Sequence, residues 1–210
     1  MRNLLGIQAG HHQGKWSGYL RTRVQATRFT LYDALLRAEY RNPTSHRLRV
    51  SAEFQTRTPR IAENSIFSVF EAYNSQELRV RLERQIQGDL NGRIALRQVW
   101  FHQESATILT LGASRQHTAL AWIWQDGYGG TSNRLQLTTQ GTWKGLFLAG
   151  RASLGNYRLL EGTLEDLATY SVTAEYPLSK RLVFRGDVQW LRNRYYARDV
   201  RFLAGLRVRI

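Results

Sequence analysis

A chain of 210 residues with 42% apolar and 22% charged residues is too apolar for disorder and suits one modest folded domain. Its formal net charge of +14 is spread along the chain and carried almost wholly by arginine, which excludes a basic tail, since that would be a block. No uncharged stretch reaches the roughly 18 residues of a membrane helix, and the absence of cysteine excludes disulfides and thiolate metal sites.

Apolar and polar residues alternate with a period of two along nearly the whole chain, which on a helix would scatter them to all sides. Strands are therefore predicted, in chain order, over Gly18–Thr27, Leu31–Tyr40, Arg47–Arg57, Glu77–Gln87, Arg93–His102 and Thr107–Ser114. Six more follow over Thr118–Gln125, Arg134–Trp143, Leu146–Leu154, Ala168–Tyr176, Arg181–Leu191 and Val200–Ile210. The alternation is plainest in Leu48–Thr56, in Leu78–Glu83 and in the last strand. There Val200, Phe202, Ala204, Leu206, Val208 and Ile210 share one face, opposite Arg201, Arg207 and Arg209.

Between the runs stand Pro43, Pro59 and Pro177, where a missing ladder donor does no harm. Gly88–Gly92 and Gly127–Gly130 have loop composition, and Trp143-Lys144-Gly145-Leu146 reads as a tight hairpin. The segment Ser65–Phe70 is placed in a long loop, Thr58 to Gln76, and Asn156–Leu167 is the other long loop, with a turn of helix inside Leu159 to Leu167. Twelve strands result, and counting Ser65–Phe70 and Asn3–Ala9 would give fourteen. Either number is even, as in bacterial barrels with both ends in the periplasm.

The start, Met1 to Ile7, carries a charge but no sustained apolar core, so it is not read as a signal peptide. The expectation is a single β domain over 1–210 that is the C-terminal part of a longer precursor.

Two stretches resemble outer-membrane β-barrel proteins of the porin-like kind. Tyr170–Leu182 looks like a strand, a short periplasmic turn and a returning strand, and Ala38-Glu39-Tyr40 before a Pro-Thr-Ser turn echoes it. The C-terminal Gly205–Ile210 is similar to the terminal strand read by the barrel-assembly machinery, although that strand usually ends in an aromatic residue where this chain has Ile210. Phe202, Leu206, Val208 and Ile210 are the assembly-signal candidates that this resemblance implies. It also implies an all-β, antiparallel up-and-down transmembrane barrel in the outer membrane of a Gram-negative-type envelope, with lipid and the assembly machinery as partners.

In lipid every backbone group must pair internally, so a membrane sheet must close on itself. Arginine on its outward face would cost roughly 2–4 kcal/mol at mid-depth. The arginine rows are therefore expected to face inward, and a one-residue slip would turn them all out. Lumen-lining candidates are Arg37, Arg49, Arg79, Arg81, Arg97, Arg151, Arg185, Arg201 and Arg207 with Glu53, Glu83 and Asp187; Arg21, Arg23, Arg209, Glu39 and Glu175 join them. Two outcomes are open: a basic pore that concentrates small anionic solutes, or a lumen zipped shut by arginine–carboxylate pairs. Tyr19, Tyr40, Trp143, Tyr176 and Trp190 near strand ends are candidates for interfacial girdles. Strands Arg93–His102 and Thr118–Gln125 carry apolar residues on both faces.

No enzymatic pattern emerges. His102 and His117 lack a serine partner in register, and His11-His12 is an adjacent pair of a kind more often solvated than ligating. Gly127–Gly130 lacks dinucleotide-loop spacing. No cofactor or metal is expected, and an oligomer is left open. The alternative is a soluble basic β-barrel that binds nucleic acid or another polyanion, stacking bases on its aromatics. A soluble barrel would bury the apolar face and turn the arginines outward.

Overall fold

In a computed structural model, residues 4–26, 29–44, 47–57, 74–128, 130–158, 162–193 and 197–208 are described. They form an all-β, antiparallel, up-and-down sheet with the strands in sequence order, and no helix occurs among them. The strands are β1 (Leu4–Gln13), β2 (Trp16–Gln25), β3 (Thr30–Asn42), β4 (Leu48–Arg57), β5 (Ser75–Gln87), β6 (Leu90–Phe101) and β7 (Glu104–Arg115). Then come β8 (Thr118–Gly127), β9 (Thr131–Trp143), β10 (Leu146–Arg158), β11 (Glu165–Pro177), β12 (Leu182–Arg192) and β13 (Asp199–Val208).

All twelve expected strands are present, and β1 is the thirteenth among the described residues. The even count of twelve is thereby corrected. β1 is the Asn3–Ala9 element of the fourteen-strand alternative, extended to Gln13; its Gly6, Gly10 and paired histidines blur the alternation that marks the others. Ser65–Phe70 lies outside the described residues, but β4 and β5 pair directly, with Arg57 opposite Ser75. The helical turn over Leu159 to Leu167 is not found where it is described: Glu165–Leu167 are the start of β11. β10 and β11 run on to the pair Tyr157–Glu165, closed by a 3.0 Å bond from Tyr157 Oη to Glu165, so the expected loop Asn156–Leu167 is shorter.

The contacts divide the chain into two compact units, residues 1–86 with 93–109 and residues 87–92 with 110–210. In the first, β1 to β5 pair in series. Register slips between Arg23 and Val24, so that Asp33 stands opposite Arg23 while Leu31 stands opposite Val24. This bulge re-aims two residues of equal parity to opposite faces, and the extra residue, Tyr32, has the Arg23 guanidinium 5.3 Å from its ring centre.

In the second unit β8 to β13 pair in series. Lys144 and Gly145 between β9 and β10 both have positive φ, 47° and 84°, the two-residue turn whose twist matches a hairpin. The turn from β11 to β12 is held by the Leu182 carbonyl, which accepts from Leu178 N at 2.9 Å, and by the Ser179 hydroxyl, which accepts from Leu182 N at 3.1 Å. Pro177 is the last residue of β11 rather than a residue beyond it. Gly155 on β10 lies so close to the Asn133 carbonyl and the Arg134 backbone that a Cβ has no room there.

The distribution of burial is the reverse of a soluble sheet's. Among the described residues the buried hydrophobic ones are Ala106 and Val183, while Asp33, Glu39, Gln55 and Glu77 are buried polar groups. Large apolar side chains are exposed, among them Val172 at 53% and Phe202 at 70%.

Candidate functional site

Cross-strand partners share a face, so the registers assign the side chains of β1 to β5 and of β8 to β13. In the first unit, one face of β2 to β5 carries Arg21 and Arg23, then Asp33, Arg37, Glu39 and Arg41, then Arg49, Glu53, Gln55 and Arg57, and finally Glu77, Arg79, Arg81 and Glu83. The other face carries Leu20, Leu36, Val50, Phe54, Leu78, Val80 and Leu82. In the second unit Gln136, Thr138, Arg151, Ser171, Thr173, Glu175, Arg185, Asp187, Arg201 and Arg207 share the polar face. Leu137, Leu148, Leu154, Val172, Val188, Phe202, Leu206 and Val208 share the apolar one.

On the polar face the carboxylates are hubs. Glu39 accepts from Arg49 through Nε and Nη2 at 3.1 and 3.0 Å and from Arg41. Glu53 lies between Arg37, whose Nε is at 2.7 Å, and Arg79, at 3.6 Å. Glu77 accepts from Arg97 on β6 at 2.7 and 3.1 Å, from Arg79, and from Gln55 at 3.2 Å. Glu83 has Arg49 at 3.6 Å and Arg81 at 4.0 Å, and Asp33 has Arg23 at 2.9 Å and Arg21 at 4.0 Å.

The second unit repeats the device. Glu175 joins Arg185 at 3.4 Å and Arg207 at 3.1 Å. Asp187 accepts from Arg185 at 2.7 and 3.0 Å and from the Thr173 hydroxyl at 2.6 Å, and Arg201 pairs with Asp199 at 2.8 Å. The carboxylates lie low on the sheet, with Glu39 7% and Glu77 8% exposed, and the guanidiniums cover them from the solvent side.

The structure thus brings Arg37, Arg79, Arg97 and Glu53 into one network of the first unit through Glu77, and Arg49, Arg81 and Glu83 into another beside Glu39. Arg185, Asp187 and Arg207 form a third network in the other unit, beside the separate Arg201 pair. Arg151 has no carboxylate partner among the described residues. Arg209 and Ile210 lie outside the described residues. Phe202, Leu206 and Val208 share the exposed apolar face of β13.

Sequence reading missed the hubs Asp33 and Glu77 as well as Arg41, Arg57 and Asp199. Asp33 and Glu77 have the same parity as Arg37 and Arg79, so the alternation held the signal. Of the aromatic candidates, Tyr40, Trp143, Tyr176 and Trp190 stand on the apolar face, Tyr40 against Trp16 at 4.7 Å and Trp190 against Tyr170 at 5.2 Å. Tyr19 does not: it stands opposite Arg37 and Gly10 on the arginine face.

β8 carries apolar residues on both of its faces, as expected: Leu120, Trp122 and Trp124 face the apolar side, and Ala119, Ala121 and Ile123 the polar side. His11 and His12, consecutive on β1, point to opposite faces beside Gly18 and Ser17, so the two rings cannot chelate one ion together. His102 and His117 lie in the turns before and after the 12-residue β7. No cluster of three or more His, Asp or Glu able to hold a metal occurs among the described residues. In comparisons with known proteins, no family model, no curated sequence and no solved structure matches the chain.

Proposed function

We propose that the chain is a transmembrane β-barrel of a bacterial outer membrane, with its apolar face toward lipid and its arginine–carboxylate face toward the interior. The observation that carries this reading is the two-sidedness of the sheet: aliphatic and aromatic side chains exposed, acidic side chains buried under arginine. In water such a face would drive association, whereas in a bilayer it is the solvated side. The same fact disfavours a soluble polyanion-binding barrel, whose apolar face would be its core.

The aromatic residues support the orientation. On β11 the apolar face runs Tyr170, Val172, Ala174, Tyr176, beside Trp190, Val188, Gly186 and Phe184 on β12. Aromatic side chains stand at both ends of a purely apolar stretch about 20 Å long.

Among the described residues of the first unit, eight arginines (Arg21, Arg23, Arg37, Arg41, Arg49, Arg79, Arg81, Arg97) pair with five carboxylates (Asp33, Glu39, Glu53, Glu77, Glu83), so the ladder there keeps net positive charge even when fully paired. An interior of this kind favours small anions over cations, while its cross-bracing narrows the passage. Passive diffusion of small anionic solutes is the proposed activity. A purely structural membrane role is the second reading, favoured by how many guanidiniums the ladder holds in place.

Two consecutive residues of β10 test the membrane orientation, because Ala152 faces the apolar side and Ser153 the polar side. In protein reconstituted into lipid vesicles, a charged maleimide is expected to label Ser153→Cys and spare Ala152→Cys, with no native thiol to interfere. Equal labelling of the two overturns the membrane reading. In planar bilayers anion-selective conductance is expected; cation selectivity or silence overturns the diffusion proposal.

A further inference from the structure

Across the second unit, Ala119, Thr138, Arg151, Ser171 and Gln189 stand level on five neighbouring strands of the polar face. No carboxylate lies in that row. In the adjacent row Gln140, Ala149, Thr173 and Asp187 stand level, and both oxygens of Asp187 are already engaged by Arg185 and Thr173. Arg151 is therefore an exposed guanidinium with no counter-ion among the described residues, on a face where the other described arginine candidates are paired.

It lines a cavity of about 520 Å³ together with Thr138, Gln140, Ser171 and Thr173, within the range of small-solute sites. Ala119, beyond Thr138 on β8, and Ala149, two residues before Arg151 on β10, also line it with short side chains. The Ser171 hydroxyl makes no protein hydrogen bond among the described residues, and Thr138 makes only a long one, 3.5 Å to the Ala119 carbonyl.

We propose that this cup binds a phosphate group, free or as the monoester of a small hydroxylated solute. The proposal rests on reading the arginine face as the watered side of the sheet. An arginine fork donates two parallel N–H bonds to one side of an oxyanion. Thr138 and Ser171 sit on the strands to either side of it, each about 4.8 Å away in the pairing direction. Donors converging from three strands suit a tetrahedral anion better than a planar carboxylate, and the Gln140 amide and remaining hydroxyl positions suit the polar body of a phosphorylated solute. The anion supplies the counter-charge that Glu175 and Asp187 supply to Arg185 and Arg207 on the same face.

Calorimetric titration of the detergent-folded protein with inorganic phosphate, glucose 6-phosphate and glucose tests this. Saturable binding of either phosphate and none of glucose is expected. Arg151→Gln should weaken binding by about tenfold or more, the loss of one charge-assisted bidentate contact. Ser171→Ala should weaken it by about threefold to tenfold. Arg192→Gln removes the same charge from the opposite, apolar face and should leave binding unchanged. Far-UV circular dichroism confirms that each variant is folded.

Tighter binding of glucose 6-phosphate than of phosphate assigns a phosphorylated solute to the cup, and equal affinity assigns phosphate itself. No saturable binding, equal binding by Arg151→Gln, or equal weakening by Arg192→Gln overturns the site. Binding without conductance in bilayers removes the pore and leaves the site; anion-selective conductance without binding removes the site and leaves the pore.

Discussion

Arg97 on β6 donates to both carboxylate oxygens of Glu77 on β5, at 2.7 and 3.1 Å, across 20 positions of sequence. Gln55 and Arg79 complete the ring of donors around that carboxylate, which is only 8% exposed. A single acidic side chain therefore links three strands of the first unit.

Removing it should be felt on all three. Glu77→Ala is expected to lower the stability of the detergent-folded protein by about 1–3 kcal/mol, because it leaves several donors without an acceptor. Arg97→Ala should cost less, since Glu77 keeps Arg79 and Gln55. Urea unfolding followed by tryptophan fluorescence compares the two, and an equal or reversed order contradicts the hub geometry.

Neighbouring positions on β11 give a second comparison, this time of the two faces. Val172→Arg places a guanidinium on the apolar side and is expected to cost about 2–4 kcal/mol in lipid bilayers. Thr169→Arg, on the polar side beside Ser153 and Leu191, should cost under about 1 kcal/mol. Similar costs measured by reversible unfolding in phospholipid vesicles would show that neither side meets lipid.

Packing between β9 and β10 can be probed with a single methyl group. A Cβ at Gly155 would collide with the Asn133 carbonyl and the Arg134 backbone, so Gly155→Ala should destabilise by about 1–3 kcal/mol. Gly141→Ala is the control, because nothing lies within 4 Å of the added atom. If thermal unfolding of the two variants coincides, the close approach at Gly155 is absent.

The strands were legible in the sequence because a period of two is a direct imprint of the pleat. Leu78–Glu83 and Arg201–Val208 sort to the faces that alternation alone assigns them. Tyr19 was misread because its distance from a strand end says nothing about its parity, and its odd number puts it with Arg21 and Arg23. β1 was undercounted because glycine and histidine carry little hydrophobic contrast.

Pairing between particular charges was not legible. It depends on registers set by hairpin turns and by the bulge at Arg23 and Val24. The cup at Arg151 depends on three separate hairpins bringing Ala119, Thr138 and Ser171 level, which no local pattern encodes.

The sharing of Glu39, Glu53 and Glu175 between two arginines each has a consequence for how this sequence can drift. Losing one arginine from Glu39, Glu53 or Glu175 leaves the carboxylate still held by the other. Losing the carboxylate leaves Arg41, Arg37 or Arg207 with no acidic partner among the described residues, while Arg49, Arg79 and Arg185 keep Glu83, Glu77 and Asp187. Arginine positions are thus mutationally redundant and acidic positions singular, so lineages of this fold should vary the plentiful cations freely while keeping the scarce anions fixed.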